Sequence, residues 1–420
     1  MRRFAGSPAL AERGSQLYAC ALATVFYLFL PIGGYTRTME GKYACLLILT
    51  LGYLAVMCAA GPYERPRMTA ARYCAAAYLA VSALSAALSP YGAATLSGGP
   101  RRDGLATLAL CVVCFFLLSS RLRADRRLLI LTALAVTLCD LLVLLQLAGK
   151  NPLGLYPAGL TYYDGDSAYA GFFAGTSGNI DFTAFLLALA VCAFIAAAIR
   201  LRLWMLTPTA ALTLWVLFRL GVAAAWVGLA FAAVWSPALL VPKRRRSMLL
   251  LSAALTLLAL LLVRQYEGGN QTLTEASRLL HGEFNGAFGS GRLAIWRGCL
   301  RLVRERPLLG GGPGTFWLRG AEPFLWQSGG VSIPADVTAA HNEYLNILVD
   351  QGVFALAAYL ALLALTLARC VRNAEEPRFS ICGAALLCYA AMACFSISTC
   401  ITAPYVWLLL ALGAEDQRSG

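Results

Sequence analysis

Apolar runs of bilayer length recur along this chain, and no other feature constrains its fold as strongly. A window as long as a membrane crossing finds about twelve of them, near 17–33, 43–60, 69–89, 104–120, 128–148, 179–199, 203–218, 221–241, 247–264, 352–369, 379–398 and 400–413. The seventh and the last are short. Hydrophobic residues make up 60% of the 420, and charged residues 13%. A soluble domain carries roughly 45–50% and about 25%. The mean hydropathy is +0.68. These values exclude a disordered chain, a collagen-like fibre and a small disulfide scaffold. They predict an all-α polytopic membrane protein of about twelve transmembrane helices. The first run has no small-residue cleavage site before the second, so we expect no cleavable signal peptide.

The net charge of +13 would suggest a nucleic-acid partner in a soluble protein. Its position along the chain gives another explanation. With Arg2, Arg3 and Arg13 placed in the cytoplasm, the alternate loops carry Arg65 and Arg67, then Arg121, Arg123, Arg126 and Arg127, then Arg200 and Arg202, then Lys243 to Arg246, then Arg369, Arg372 and Arg378. Every one is basic, as positive-inside topology requires. The intervening loops are mixed: Arg37 with Glu40, Arg101 and Arg102 with Asp103, Lys150 with Asp164 and Asp166. The expected partner of this charge is therefore a lipid bilayer and not a nucleic acid.

Most of the 14 cysteines lie inside apolar runs, where they act as small hydrophobes. Cys111 and Cys114 form a C-x-x-C with no nearby polar partner, which does not read as a redox or zinc site. The two histidines, His281 and His341, are too few for a multi-histidine metal site, and no cofactor is expected. There is no internal repeat. Two loops on the expected outer face are long, 149–178 and 265–351, and the second far exceeds what joins packed helices. The chain thus divides at 1–264, 265–351 and 352–420: nine helices, a long extracytoplasmic loop, and three helices with a tail.

The long loop carries the polar chemistry. Arg292 to Glu305 has helical periodicity, with Leu293, Trp296, Cys299, Leu300 and Val303 on one stripe and Arg297, Arg301 and Arg304 opposite. This is an amphipathic helix suited to a membrane surface. Arg292 falls with the apolar stripe, so it should point at a buried partner or an anion. Pro307 ends the helix. The run Gly310–Gly314, with Gly312 at its centre, then makes either a plain turn or a loop whose N–H groups approach a phosphate. His341 and Asn342 open the next helical pattern. Asn342 suits an N-cap, and His341 is the side chain that could accept a proton near neutral pH. An ordinary imidazole there would lose activity below roughly pH 6. His281, in a loose polar stretch, reads as solvated.

Two further stretches stand out. Arg219, between apolar residues in a tight hairpin, should lie at the outer membrane face, either snorkelling or serving a site. Residues 173–187 close the first long loop, with Asn179 or Asp181 as the cap of the following helix.

Together these stretches resemble the bacterial O-antigen ligase and O-antigen polymerase superfamily. The similarity covers roughly residues 100–413 and follows family order. A Gly-Asn turn precedes a span (Gly178-Asn179), and an arginine sits at a tight hairpin (Arg219). An Arg-x-x-x-Trp helix leads to Pro-Leu-Leu-Gly-x-Gly-Pro-Gly (Arg292 to Gly314). A His-Asn-x-x-Leu motif (His341 to Leu345) and a closing Pro404–Leu409 span follow. The hairpin usually reads Ser-Arg-Gly, here Phe218-Arg219-Leu220-Gly221. The turn usually ends Pro-Asn, here Ile180-Asp181. These departures bear on the acceptor subtype.

The resemblance implies a GT-C-like, metal-independent, inverting glycosyltransferase of the bacterial plasma membrane. Its donor would be an undecaprenyl-diphosphate-linked glycan, and its acceptor a hydroxyl of a glycan or lipid-linked molecule on the extracytoplasmic face. His341, Arg292 and Arg219 would be catalytic. Arg297, Asn342, Asn179 and Gly312 would bind substrate. A polymerase extending a lipid-linked polysaccharide needs the same donor site. A transporter or lipid-glycan flippase is the reading from another class, favoured by mid-span charges, of which Asp140 is the clearest.

Overall fold

A computed structural model describes residues 7–30, 33–61, 67–122, 125–164, 171–320 and 337–414, and the backbone of 324–328 and 331–335. Arg2, Arg3, Arg65, Arg123 and Asp166, which enter the charge pattern, lie outside the described residues. Helices stand at all twelve predicted positions: α1 (Pro8–Ala21, continued by a π-helical turn, Leu22–Phe26), α2 (Thr38–Ala59), α3 (Ala70–Ala87), α4 (Leu105–Leu118), α5 (Arg126–Leu147), α6 (Ile180–Leu201), α7 (Thr207–Leu220), α8 (Ala223–Trp235), α9 (Arg245–Arg264) and, after the long loop, α12 (Glu343–Arg372), α13 (Pro377–Met392) and α14 (Ala403–Ala414). Among the described residues, six helices are long and apolar enough to cross a bilayer, and five more are shorter and apolar.

The long loop contains two amphipathic helices, α10 (Gln271–Leu280) and α11 (Arg292–Glu305). It also holds an antiparallel hairpin, which periodicity had not predicted, of β1 (Phe324–Ser328) and β2 (Val331–Ala335), with Phe324 opposite Ala335 and Ser328 opposite Val331. The tenth span starts earlier than expected, at Glu343. It breaks at Gly352, whose φ of 80° lies outside the helical region.

Small residues decide the packing. Helix α6 buries most of its length, with alanines at 184, 188, 190, 196, 197 and 198, and it packs closely on α13 and on the α7–α8 hairpin. Helix α12 packs on α3, and α14 on α4. Only Ser252 of α9 is buried; an apolar helix exposed nearly all round belongs in lipid.

Two buried ionisable side chains hydrogen-bond across elements. Lys42 donates to the carbonyls of Phe26 and Tyr27 at 2.6 and 2.9 Å, closing the end of the first helix. Asp140 accepts from the Thr213 hydroxyl at 2.6 Å and so joins α5 to α7. Cys111 and Cys114 are buried, free thiols.

The glycine run 310–314 crosses the break in α12. Gly311 N donates to Val349 O at 3.2 Å, Gly312 N to Asp350 O at 2.6 Å, and Val353 N to Pro307 O at 2.9 Å. The hydroxyls of Ser85 on α3 and of Ser89 just beyond its end bond to the carbonyls of Leu309 and Gly311. A Cβ at Gly310 would stand 2.4 Å from the Asp350 carbonyl carbon, and one at Gly312 2.6 Å from Thr95. The run packs against α3 and the break in α12, and Gly312 is buried with its N–H engaged by Asp350 O.

Candidate active site

Three helix N-termini meet at the end of the bundle that carries the long loops. Asn179 caps α6, its Oδ1 accepting from the N–H groups of Asp181 at 2.8 Å and Phe182 at 3.4 Å. Asn342 caps α12, its Oδ1 accepting from Leu345 N at 3.0 Å. Arg292 begins α11. Each start carries the positive end of a helix dipole.

Arg292 lies half-buried, on the side of α11 whose buried residues include Ile295, Cys299 and Leu302. The predicted stripe was rotated slightly, since Leu300 is exposed and Ile295 and Leu302 replace it. One guanidinium nitrogen donates to Gly289 O at 2.9 Å, while buried Nε has no partner. Burial lowers the pKa of Arg292, and the carboxylate of Asp181 in the first turn of α6 opposes that effect.

His341 precedes the α12 cap in a left-handed conformation, φ 48°. A non-glycine residue holds that backbone only where its neighbours fix it. Three contacts do so. Trp296 Nε1 on α11 donates to Ala340 O at 2.9 Å, Ala340 N donates to Asn346 Oδ1 at 3.1 Å, and Arg101 bonds the Thr338 hydroxyl. The imidazole itself makes no hydrogen bond to a described residue, so it is available to a ligand. Burial first, then the charges of Arg292 and Arg101, lower its pKa from 6.5 to about 4. Burial also depresses Arg101, against the pull of Asp103, and raises Asp103 to about 6.

The structure therefore brings Arg292, His341 and Asn342 together with Asp181 and Arg101. Asn179 lies at the same end, two residues from Asp181. Arg297 sits on the exposed side of α11, one nitrogen 3.4 Å from Phe284 O. Arg219 is exposed in the last turn of α7, beside the Gly221 C-cap, and no described contact joins it to the Arg292–His341 group. His281 is held to its own helix through Ser277 O at 2.9 Å. Sequence reasoning missed Arg101, Asp103 and the positioning role of Trp296. The first two read as a weak, mixed loop, and Trp296 as one more apolar residue.

The fold and this site define a multi-pass membrane protein with a positively charged, histidine-bearing site at its loop end. Residues 208–360 match the family model described as O-antigen ligase. Over that segment the chain is similar to the O-antigen ligase family, and the match supports the O-antigen ligase and polymerase superfamily. The matched segment contains Arg219, Arg292 and His341. The family implies a glycosyltransferase-like enzyme of membrane glycan processing. No curated protein matches the chain.

Proposed function

We propose that this protein transfers a glycan from undecaprenyl diphosphate to an acceptor hydroxyl on the outer face of a bacterial plasma membrane, in the manner of an O-antigen ligase. The observation that carries the reading is the joining of Arg292 and His341 at converging helix N-termini inside the matched segment. In the reaction, the acceptor oxygen attacks the anomeric carbon. The bond to the diphosphate breaks, and its electron pair leaves on the phosphate oxygen. Direct displacement inverts the anomeric centre.

The leaving group gathers negative charge. The guanidinium of Arg292, with the positive ends of the helix dipoles around it, is placed to stabilise that charge, by hydrogen bonds that strengthen as it develops. Arg219, at the outer end of its hairpin, is proposed as a second diphosphate ligand that a lipid-borne donor brings into play. Asn179 and Asn342 shape the anion site by fixing the two helix starts, and Arg297 offers a surface charge to the glycan. His341 is neutral at physiological pH and orients or deprotonates the acceptor hydroxyl. An arriving diphosphate raises its basicity. The alternating loop charge favours twelve crossings and puts this end of the bundle outside.

The test is a deletion strain. Accumulation of undecaprenyl-diphosphate-linked glycan, with loss of one surface polymer, is expected. An unchanged lipid-linked pool and an intact surface would refute the reading.

A further inference from the structure

A cavity of about 370 Å³ runs into the bundle from the end opposite the Arg292–His341 group. Its wall comes from the π-helical turn after α1 and from α5, α6, α13 and α14, and most of it is Ala, Val, Leu, Ile and Phe. Small residues leave the space: Ala23, Ala190 and Ala193 face it. Ligand pockets run from about 300 to 1,000 Å³, and an apolar cavity of only about 150 Å³ already stays dry and takes up apolar molecules. The hydroxyls on this wall are spent on the chain's own carbonyls. Thr132 Oγ1 donates to Leu128 O at 2.7 Å, and the Tyr405 hydroxyl to Leu22 O at 2.9 Å. The wall offers water little, and an apolar occupant is what its chemistry accepts.

The two ends of the cavity differ. Asp125, Glu376 and Arg378 line one end, half-buried, at the starts of α5 and α13. Ala23, Tyr27 and Val136 line the other and are buried. There the rings of Tyr27 and Tyr405 meet edge to face, with centroids 6.1 Å apart, and close it. At roughly 1.5 Å per residue the slot runs about 16 Å along α5, from Asp125 to Val136, against about 15 Å of hydrocarbon in one leaflet. Its mouth therefore lies at headgroup level. That mouth is basic. Asp125 is engaged as the cap of α5, its Oδ1 accepting from Leu128 N at 2.8 Å, and Glu376 pairs with Arg378 at 3.0 Å. Arg126 and Arg127 follow Asp125 on the exposed surface, and Arg202 and Arg372 are exposed at the ends of α6 and α12, with Glu375 as a further acid. Arg200 donates to the carbonyls of Ala374 and Glu375 at 2.9 and 2.7 Å and so ties the end of α6 to the start of α13.

We propose that this slot binds an anionic phospholipid of the leaflet on the basic side, with one acyl chain between α5, α6, α13 and α14 and the phosphate at Arg126 and Arg127. Each part of such a lipid meets its complement: the chain an apolar wall of leaflet length, the phosphate a pair of exposed guanidiniums. Positive-inside topology makes this the cytoplasmic leaflet, where anionic lipids attract basic segments. A donor lipid with its diphosphate at Arg292 would approach from the end that Tyr27 and Tyr405 close. The bound chain fills the space that Ala190 and Ala193 leave beside α5. The site stands apart from the glycosyl-transfer reading and does not depend on it.

The test places the full-length protein in phosphatidylcholine vesicles doped with phosphatidylglycerol that carries a diazirine midway along one acyl chain. After irradiation, the attachment sites are mapped by mass spectrometry. Expected are adducts on residues 132–136 of α5 and 189–193 of α6, and their loss in Ala193→Phe, which puts a ring into the slot. Arg126→Gln and Arg127→Gln change only exposed side chains, and each should weaken this labelling roughly fivefold. Wild-type adducts confined to outward faces such as that of α9 would overturn the proposal, whether or not Ala193→Phe folds. Equal labelling of the slot by a phosphatidylcholine with the same diazirine chain would overturn the anionic assignment. Loss of the slot adducts on adding undecaprenyl diphosphate would give the cavity to the donor's tail and overturn it as well. No glycan enters this test, so its failure leaves the glycosyl-transfer reading untouched.

Discussion

Two histidines make the environment of His341 directly measurable. In a His281→Gln variant labelled with isotopic histidine, a single imidazole reports by NMR. Burial and the charges of Arg292 and Arg101 hold the His341 midpoint at about 4, against an ordinary 6.5. At pH 5.5 an ordinary imidazole is about 90% protonated, whereas His341 should be only about 3% protonated. With its midpoint there, the unliganded imidazole stays neutral well below pH 6. The folded state disfavours the imidazolium, so its protonation opposes folding as pH falls toward 4. Arg292→Gln should raise the midpoint and leave it below 6.5, because burial, the largest cause, remains. A wild-type midpoint at 6.5, or one that Arg292→Gln does not move, would refute the placement of Arg292 and His341 in one site.

Other outcomes follow from particular contacts. Arg292→Lys should cut transfer at least about tenfold, because an ammonium cannot reproduce the guanidinium fork, while Arg304→Lys on the exposed side of α11 should be nearly silent; paired rate measurements check both, and Arg219→Lys tests the second proposed ligand. Trp296→Phe keeps the ring and removes the 2.9 Å bond to Ala340 O. It should cost about 1 kcal/mol of positioning, roughly fivefold in kcat, with donor KM unchanged. Gly352→Ala puts a Cβ 2.1 Å from Leu308 O at a φ of 80°, so the melting temperature of the solubilised protein should fall clearly, the backbone term alone costing about 1–3 kcal/mol. In a cysteine-depleted chain, Gly320→Cys should label from outside and Arg245→Cys only after permeabilisation.

The helices were legible because lipid demands long apolar runs whatever the tertiary contacts, and the bounds of α11, though not the exact position of its buried stripe, followed from its period. The Asn342 cap was legible because Asn suits a helix start, and the cap of α6 was narrowed to Asn179 or Asp181 for the same reason. The hairpin was not read, although Phe324–Ser328 and Val331–Ala335 flank a Gly-Gly pair, a known turn signal. The glycine run pointed to a ligand because glycine permits close approach, and sequence cannot say whether a phosphate or the chain's own helix approaches. Asp350, Gln351 and Gly352 interrupt an apolar helix, a signal that the chain breaks there. Which polar groups face Asp350 depends on α3 and the 99–104 turn, some 250 residues away in sequence.

Transfer by the purified protein tests the central claim most directly. The wild type, His341→Ala and Arg292→Ala would be given an undecaprenyl-diphosphate-linked glycan and a hydroxyl acceptor in the presence of a metal chelator, with donor binding measured separately. The account predicts transfer by the wild type with inversion at the anomeric carbon. It predicts a loss of roughly two to four decades in His341→Ala with donor binding kept, and weakened donor binding in Arg292→Ala. Near-normal transfer by a monodisperse His341→Ala protein would contradict it.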